Sequence, residues 1–127
     1  MAISFAPQLF IKSGITDISF YTKAFGAIEL RRWTNDDSSI HVAELSIDGM
    51  VFHLHEITPR FNWLDPGTLN GTSVLLGLFV KDVDTIISQA KAAGAVELSP
   101  AQDYDYGYRQ GEIRDPFGHC WLIQKKI

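Results

Sequence analysis

Apolar and polar positions along this chain alternate with two different periods, in an order that occurs twice. Leu9-Phe10-Ile11 begins a short strand-like run, and Ile18, Tyr21 and Phe25 then fall on one stripe of a helix that ends at Gly26. Thr16 or Asp17 is placed to cap that helix. Runs with the two-residue period of strands follow at 27–34, 39–47 and 50–57. The second half repeats the order. Leu78-Phe79-Val80-Lys81 leads to Asp82 as a cap, Val83, Ile86, Ile87 and Ala90 form the apolar stripe, and Gly94 ends the helix. Strand-like runs then occupy 95–98, 108–114 and 119–125.

The repeat extends to identity. Residues 24–30 read AFGAIEL and residues 92–98 read AAGAVEL, five identities in seven at an offset of 68. Leu9-Phe10-Ile11-Lys12 recurs as Leu78-Phe79-Val80-Lys81 at an offset of 69. Residues 58–72, with two prolines and two glycines, part the halves. Two copies are too few for a solenoid. The expectation is one α+β domain over residues 1–127, built from two βαβββ modules (1–57 and 73–127, linker 58–72) in a pseudo-twofold arrangement that forms a curved mixed sheet around a cleft.

Asp48-Gly49 between two alternating runs is a strong signal for a two-residue hairpin turn, and it fixes a register in which paired residue numbers sum to 97. Ile47/Met50, Leu45/Phe52, Ala43/Leu54 and His41/Glu56 then share the largely apolar face. The other face carries Ser46/Val51, Glu44/His53 and Val42/His55, with paired Cβ atoms about 4.5–5.5 Å apart. A carboxylate and two imidazoles on neighbouring positions make that face the candidate for chemistry. In the last strand, His119 and Cys120 point to opposite sides and form no Cys–His nucleophile pair.

Composition narrows the partners. A net charge of −4, with no basic cluster beyond Lys125-Lys126, gives no footprint for nucleic acid or anionic membranes. The single cysteine, Cys120, excludes an internal disulfide framework, and neither a signal peptide nor a membrane span is legible, so a cytoplasmic setting is expected. Edge strands left open by two half-sheets favour a homodimer.

Several segments together resemble a known family. Ile18-Ser19-Phe20-Tyr21 through Phe25-Gly26-Ala27, the strand His41 to Leu45, Val83-Asp84 with Ala92-Ala93-Gly94-Ala95, and above all Tyr108-Arg109-Gln110-Gly111 with Arg114-Asp115-Pro116-Phe117-Gly118-His119 and Trp121 are similar to the vicinal oxygen chelate superfamily. That superfamily holds glyoxalase I, bleomycin-resistance proteins and extradiol dioxygenases, and the last segment resembles its PhnB-like branch. The resemblance implies sheets curled around a cleft, a dimer, and metal ligands at positions that fall here on Ala6, His53, Leu75 and Leu122. Ala and Leu donate no lone pair, and a stable catalytic ion needs at least three protein ligands.

The expected function is therefore metal-independent binding of a small aromatic or cationic molecule. Its candidate residues are Gln8, Phe10, Glu44, His53, His55, Trp63, Phe79, Tyr108, Arg109 and Leu122, a mixture of apolar walls and few polar groups. Aromatic faces suit a planar or cationic ligand. Gly77 in the cavity floor leaves room for a ligand or another backbone. Arg109 has anionic ligands and the nearby acids Asp103, Asp105 and Glu112 as competing partners. The alternative is a glyoxalase-type lyase or isomerase in which Glu44, His53 and His55 hold a divalent metal, or in which Glu44 and His53 act as a base and its orienting partner. In either case the chemistry is expected in the first half only, the matching positions of the second being read as apolar.

Overall fold

A computed structural model describes residues 2–127. The elements run β1 (Gln8–Ile11), α1 (Phe20–Phe25), β2 (Ile28–Thr34), β3 (Ile40–Ile47), β4 (Met50–Glu56), α2 (Pro66–Leu69), β5 (Leu75–Phe79), α3 (Val83–Ala92), β6 (Val96–Tyr104), β7 (Tyr108–Arg114) and β8 (Cys120–Lys126). They form two four-stranded mixed sheets of equivalent order, β1-β4-β3-β2 and β5-β8-β7-β6, in which β1 and β5 pair in parallel with β4 and β8. This is the α+β, twice-βαβββ architecture that the repeat predicts.

The β3–β4 hairpin has the expected register, from Ile47 opposite Met50 to Val42 opposite His55. Its turn places Asp48 and Gly49 at φ of 50° and 84°, the paired positive values of a type I′ turn. Helix α3 starts at Asp82, whose carboxylate accepts from the Thr85 N–H at 3.1 Å. Helix α1 starts later than expected. Asp17 spends its carboxylate on the Ser19 N–H at 2.9 Å, so the chain turns once more before Phe20. Two further departures have local causes. Asp65 caps α2 inside the linker, with Pro66 at the first turn. Strand β6 runs on past Leu98 because register shifts on both sides of Ser99 carry Pro100 along a sheet edge, where its missing N–H costs no ladder bond.

One core joins the halves. Leu9, Ala43, Leu45, Phe52 and Leu54 of the first sheet face Leu78, Ile113, Trp121 and Ile123 of the second, with Tyr21 and Ala24 of α1 and Val83, Ile87 and Ala90 of α3 packed among them. The rings of Phe52 and Trp121 lie 5.9 Å apart, and Tyr21 stands 5.2 Å from Phe52 and 5.9 Å from Trp121. Gln89 of α3 donates to the Ala24 carbonyl of α1 at 3.1 Å. The sheets thus meet through their helix-bearing faces, and by the two-residue period of a strand their other faces turn away from that core.

At one end of the first sheet, His41 and Asn35 bond the Glu56 carboxylate at 2.9 and 3.0 Å, the pair that the hairpin register implies. Burial pushes the Glu56 carboxyl upward, but the bonds from His41, Asn35 and Ser13 outweigh it and leave the group below its ordinary value. A depressed carboxyl stabilises the fold above its unfolded value and loses that effect as pH falls through the folded one. The stability lost in Glu56→Gln is therefore expected to shrink as pH falls below the ordinary carboxylate range, as read by urea unfolding at a series of pH values.

Candidate functional site

The faces that turn away from the core carry the candidate residues in rows across the strands. On the first sheet, Gln8, His53, Glu44 and Arg31 form one row, and Phe10, His55, Val42 and Trp33 the next. Trp63 comes over this face from the linker. Its ring stacks on Phe10 at 4.9 Å, stands edge-on to His55 at 5.1 Å, and is itself stacked by Phe61 at 4.5 Å. The Arg31 guanidinium lies 4.4 Å over the Trp33 ring, which anchors the outer end of the rows.

On the second sheet the corresponding rows are Gly77, Leu122, Glu112 and Ser99, then Phe79, Gln124, Gln110 and Gln102. Phe79 is the counterpart of Phe10 and lies 6.1 Å from Tyr108. Register also pairs Glu44 with Glu112 and His55 with Gln124 as counterparts. The expectation that the second half is apolar at these positions is thus corrected: only the counterpart of His53, Leu122, is apolar. The offset between halves slips from 69 in β4/β8 to 68 in β3/β7, which hid Glu112 from a single-offset reading.

Arg109 sits on the other face of β7. It donates from Nε and Nη2 to Asp84 at 2.9 and 2.8 Å and from Nη1 to Asp103 at 3.0 Å. Those bonds hold Asp84 below the usual carboxylate range and raise the guanidinium further. Its fork is spent on tying α3 to the β6–β7 hairpin. Alternation alone carries this signal, since neighbours on a strand such as Tyr108 and Arg109 face opposite ways.

The polar trio of the first half does not assemble around an ion. His55 donates from Nδ1 to the Glu56 carbonyl at 2.8 Å and packs its ring against Trp63, while Glu44 and His53 stand opposite each other with no hydrogen bond between them. Among the described residues no three His, Cys, Asp or Glu side chains are grouped to hold a metal. The positions the resemblance assigns, Ala6, His53, Leu75 and Leu122, supply one donor side chain. These residues do not fit a divalent ion at either place. Burial pushes the Cys120 thiol up, with the Glu112 charge adding to it, so this cysteine is not an activated nucleophile.

The main cavity, about 810 Å³, is an open apolar groove between β1 and β5. Of the candidate set it takes Gln8 and Phe10; its walls include Leu75 to Leu78 of β5, Leu64 just before α2 and Leu69 at its end, and Phe52 and Trp121 at the floor. Sequence reasoning missed α2, although Asp65-Pro66 is a cap followed by a proline at the first helical position. Both strands bordering the groove are paired on one edge only.

Comparison with known proteins agrees with this architecture. The uncharacterized protein Mb0911c of Mycobacterium bovis is 34% identical over 125 residues, covering 96% of this chain and 82% of the relative. The uncharacterized protein At5g48480 of Arabidopsis thaliana is 28% identical over 119 residues, covering 86% and 69%. The X-ray structure of the At5g48480 product superposes with a TM-score of 0.75 at 24% identity, over 97% of this chain and 98% of that one. The genomically encoded fosfomycin resistance protein FosX of Listeria monocytogenes has the same fold, with a TM-score of 0.71 at 15% identity over 100% and 95% of the two chains. The family model matches residues 16–123, and the chain belongs to the Glyoxalase/Bleomycin resistance protein/Dioxygenase superfamily.

Proposed function

We propose that this protein captures a small planar molecule, aromatic or cationic, without a metal, in a cleft that two copies of the chain build together as a homodimer. The observation that carries this reading is the division of the candidate residues. Phe10, His53, His55 and Trp63 line one outward face, and Phe79, Tyr108 and Leu122 line its pseudo-symmetric counterpart. The helix-bearing faces are spent on the shared core, so each aromatic face lacks an opposite wall. A second copy supplies it when the first sheet of one protomer meets the second sheet of its partner. Glu44 and Glu112 then both border the cleft, which favours a cation over an anion.

Within the superfamily we place the chain in the PhnB-like branch, on Tyr108-Arg109-Gln110-Gly111 and the run from Arg114 to His119, and in the cytoplasm on its single cysteine. No helix among the described residues is long and apolar enough to cross a membrane.

The test is a calorimetric titration with planar aromatic cations and with metal-free bleomycin. Saturable binding is expected, and Trp63→Ala should weaken it about tenfold by removing the ring that stacks on Phe10. Absence of heat and of any thermal shift with the whole panel would sink the proposal.

A further inference from the structure

The outward face of the second sheet holds a nearly buried polar group, the Gln124 amide nitrogen, that the fold leaves unused. Gln124 is 8% exposed. Its Oε1 accepts from Gln110 Nε2 at 2.8 Å, and Gln110 Oε1 is in turn taken by the Tyr106 hydroxyl. That chain of bonds orients the Gln124 amide with its nitrogen as the free end. Nε2 donates to no acceptor among the described residues, and it lies 2.9 Å from where a β-carbon on Gly77 would stand. No fully buried side-chain polar atom among the described residues lacks a partner, so this nitrogen reaches solvent, and the opening is over the exposed Gly77. In the free protein only water can accept from this donor, and a ligand acceptor that takes the water's place keeps the bond while its ring packs on the neighbouring apolar surface.

The glycine is there for space. Gly77 is not among the positive-φ residues, and its counterpart in the first sheet is Gln8, so the strand itself would take any side chain. Phe79 stands beside Gln124 as its strand partner, with Tyr108 beyond it, and Glu112 lies in the next row opposite Leu122. We infer that this is a ligand subsite in which Gln124 Nε2 donates over Gly77 to a ring nitrogen or ring carbonyl of a planar heteroaromatic molecule packed on Phe79 and Tyr108. The nearby Glu112 carboxylate selects a neutral or cationic ring over an anionic one. The inference rests on the capture reading above and names the chemistry of its ligand.

Two cations of equal shape test it, quinolin-4-ylmethylammonium and naphthalen-1-ylmethylammonium, which differ by one ring nitrogen. Titrated into the ¹⁵N-labelled wild-type protein, the quinoline is expected to bind about five- to tenfold tighter, the worth of one hydrogen bond, and to shift the Gln124 side-chain amide signals. Gln124→Met should abolish the preference while keeping the affinity for the naphthalene. Gly77→Ala, which places a methyl against the amide, should abolish it too and decides the matter where Gln124→Met does not fold. Equal affinities in the wild type, or a preference that survives the substitution, would overturn the subsite alone. Failure of both cations to bind anywhere would overturn the capture reading and the subsite with it.

Discussion

Asp115→Asn is expected to destabilise the fold by about 3 kcal/mol, because this buried carboxylate accepts four hydrogen bonds and its amide substitute cannot. Asp115 is 3% exposed. Oδ1 receives the N–H groups of Phe117 and His119 at 2.8 and 3.1 Å, and Oδ2 receives the Tyr21 hydroxyl at 2.5 Å and the Trp121 indole N–H at 3.0 Å. Three of those donors have no acceptor form. Whichever way the amide of Asn is turned, its NH₂ faces at least one fixed N–H, and a buried donor is left unmet. Tyr21→Phe removes one bond to a charged group and leaves the other three, so it should cost less, about 1.5–3 kcal/mol. Because Tyr21 belongs to the first half and Asp115 and Trp121 to the second, both losses fall on the joint between modules. Urea unfolding followed by tryptophan fluorescence measures them; an Asp115→Asn protein within about 1 kcal/mol of wild type would show that the joint is held by ring packing alone.

The parts of this molecule that were legible in the sequence are those set by local rules. Asp48-Gly49 fixed the β3–β4 register through its demand for two positive φ values, and with it the side on which Glu44, His53 and His55 project. Gly26 and Gly94 marked both helix ends, and the 68- and 69-residue offsets showed that the two halves are equivalent modules. What was not legible depends on contacts between distant elements. Which faces of the two sheets meet is decided by the packing of Tyr21, Phe52 and Trp121, residues more than thirty positions apart in the chain, and periodicity cannot report it. The fate of Arg109 lies between these cases. Its acidic partner Asp103 was visible as a neighbour in sequence, whereas Asp84 is brought to it by α3 lying on the sheet. Gly77 was read as room for a ligand or another backbone, and its nearest neighbour proves to be the side chain of Gln124.

The unpaired edge of β5 leads to the second large effect. Val74 and Leu75 are 59% and 49% exposed, and Phe5 and Leu69 across the groove are 88% and 53% exposed, a contiguous apolar surface of the kind that marks an interface. If a second copy covers it, Leu75→Arg replaces a side chain whose burial contributes about 1.5–3 kcal/mol with a charge that has no partner there. The dimer dissociation constant is then expected to rise by about a hundredfold or more, since each 1.4 kcal/mol is roughly a factor of ten. The protomer itself should keep its stability within about 0.5 kcal/mol, because the leucine is half exposed in the single chain. Sedimentation velocity across a concentration series reads the first quantity and urea unfolding the second. Capture of the aromatic cations should disappear in step with the dimer, since His53 and Trp63 of one protomer would lose the wall that Phe79 and Tyr108 of its partner provide. A Leu75→Arg protein that sediments as a monomer and still binds those cations with wild-type affinity would return the whole site to a single chain.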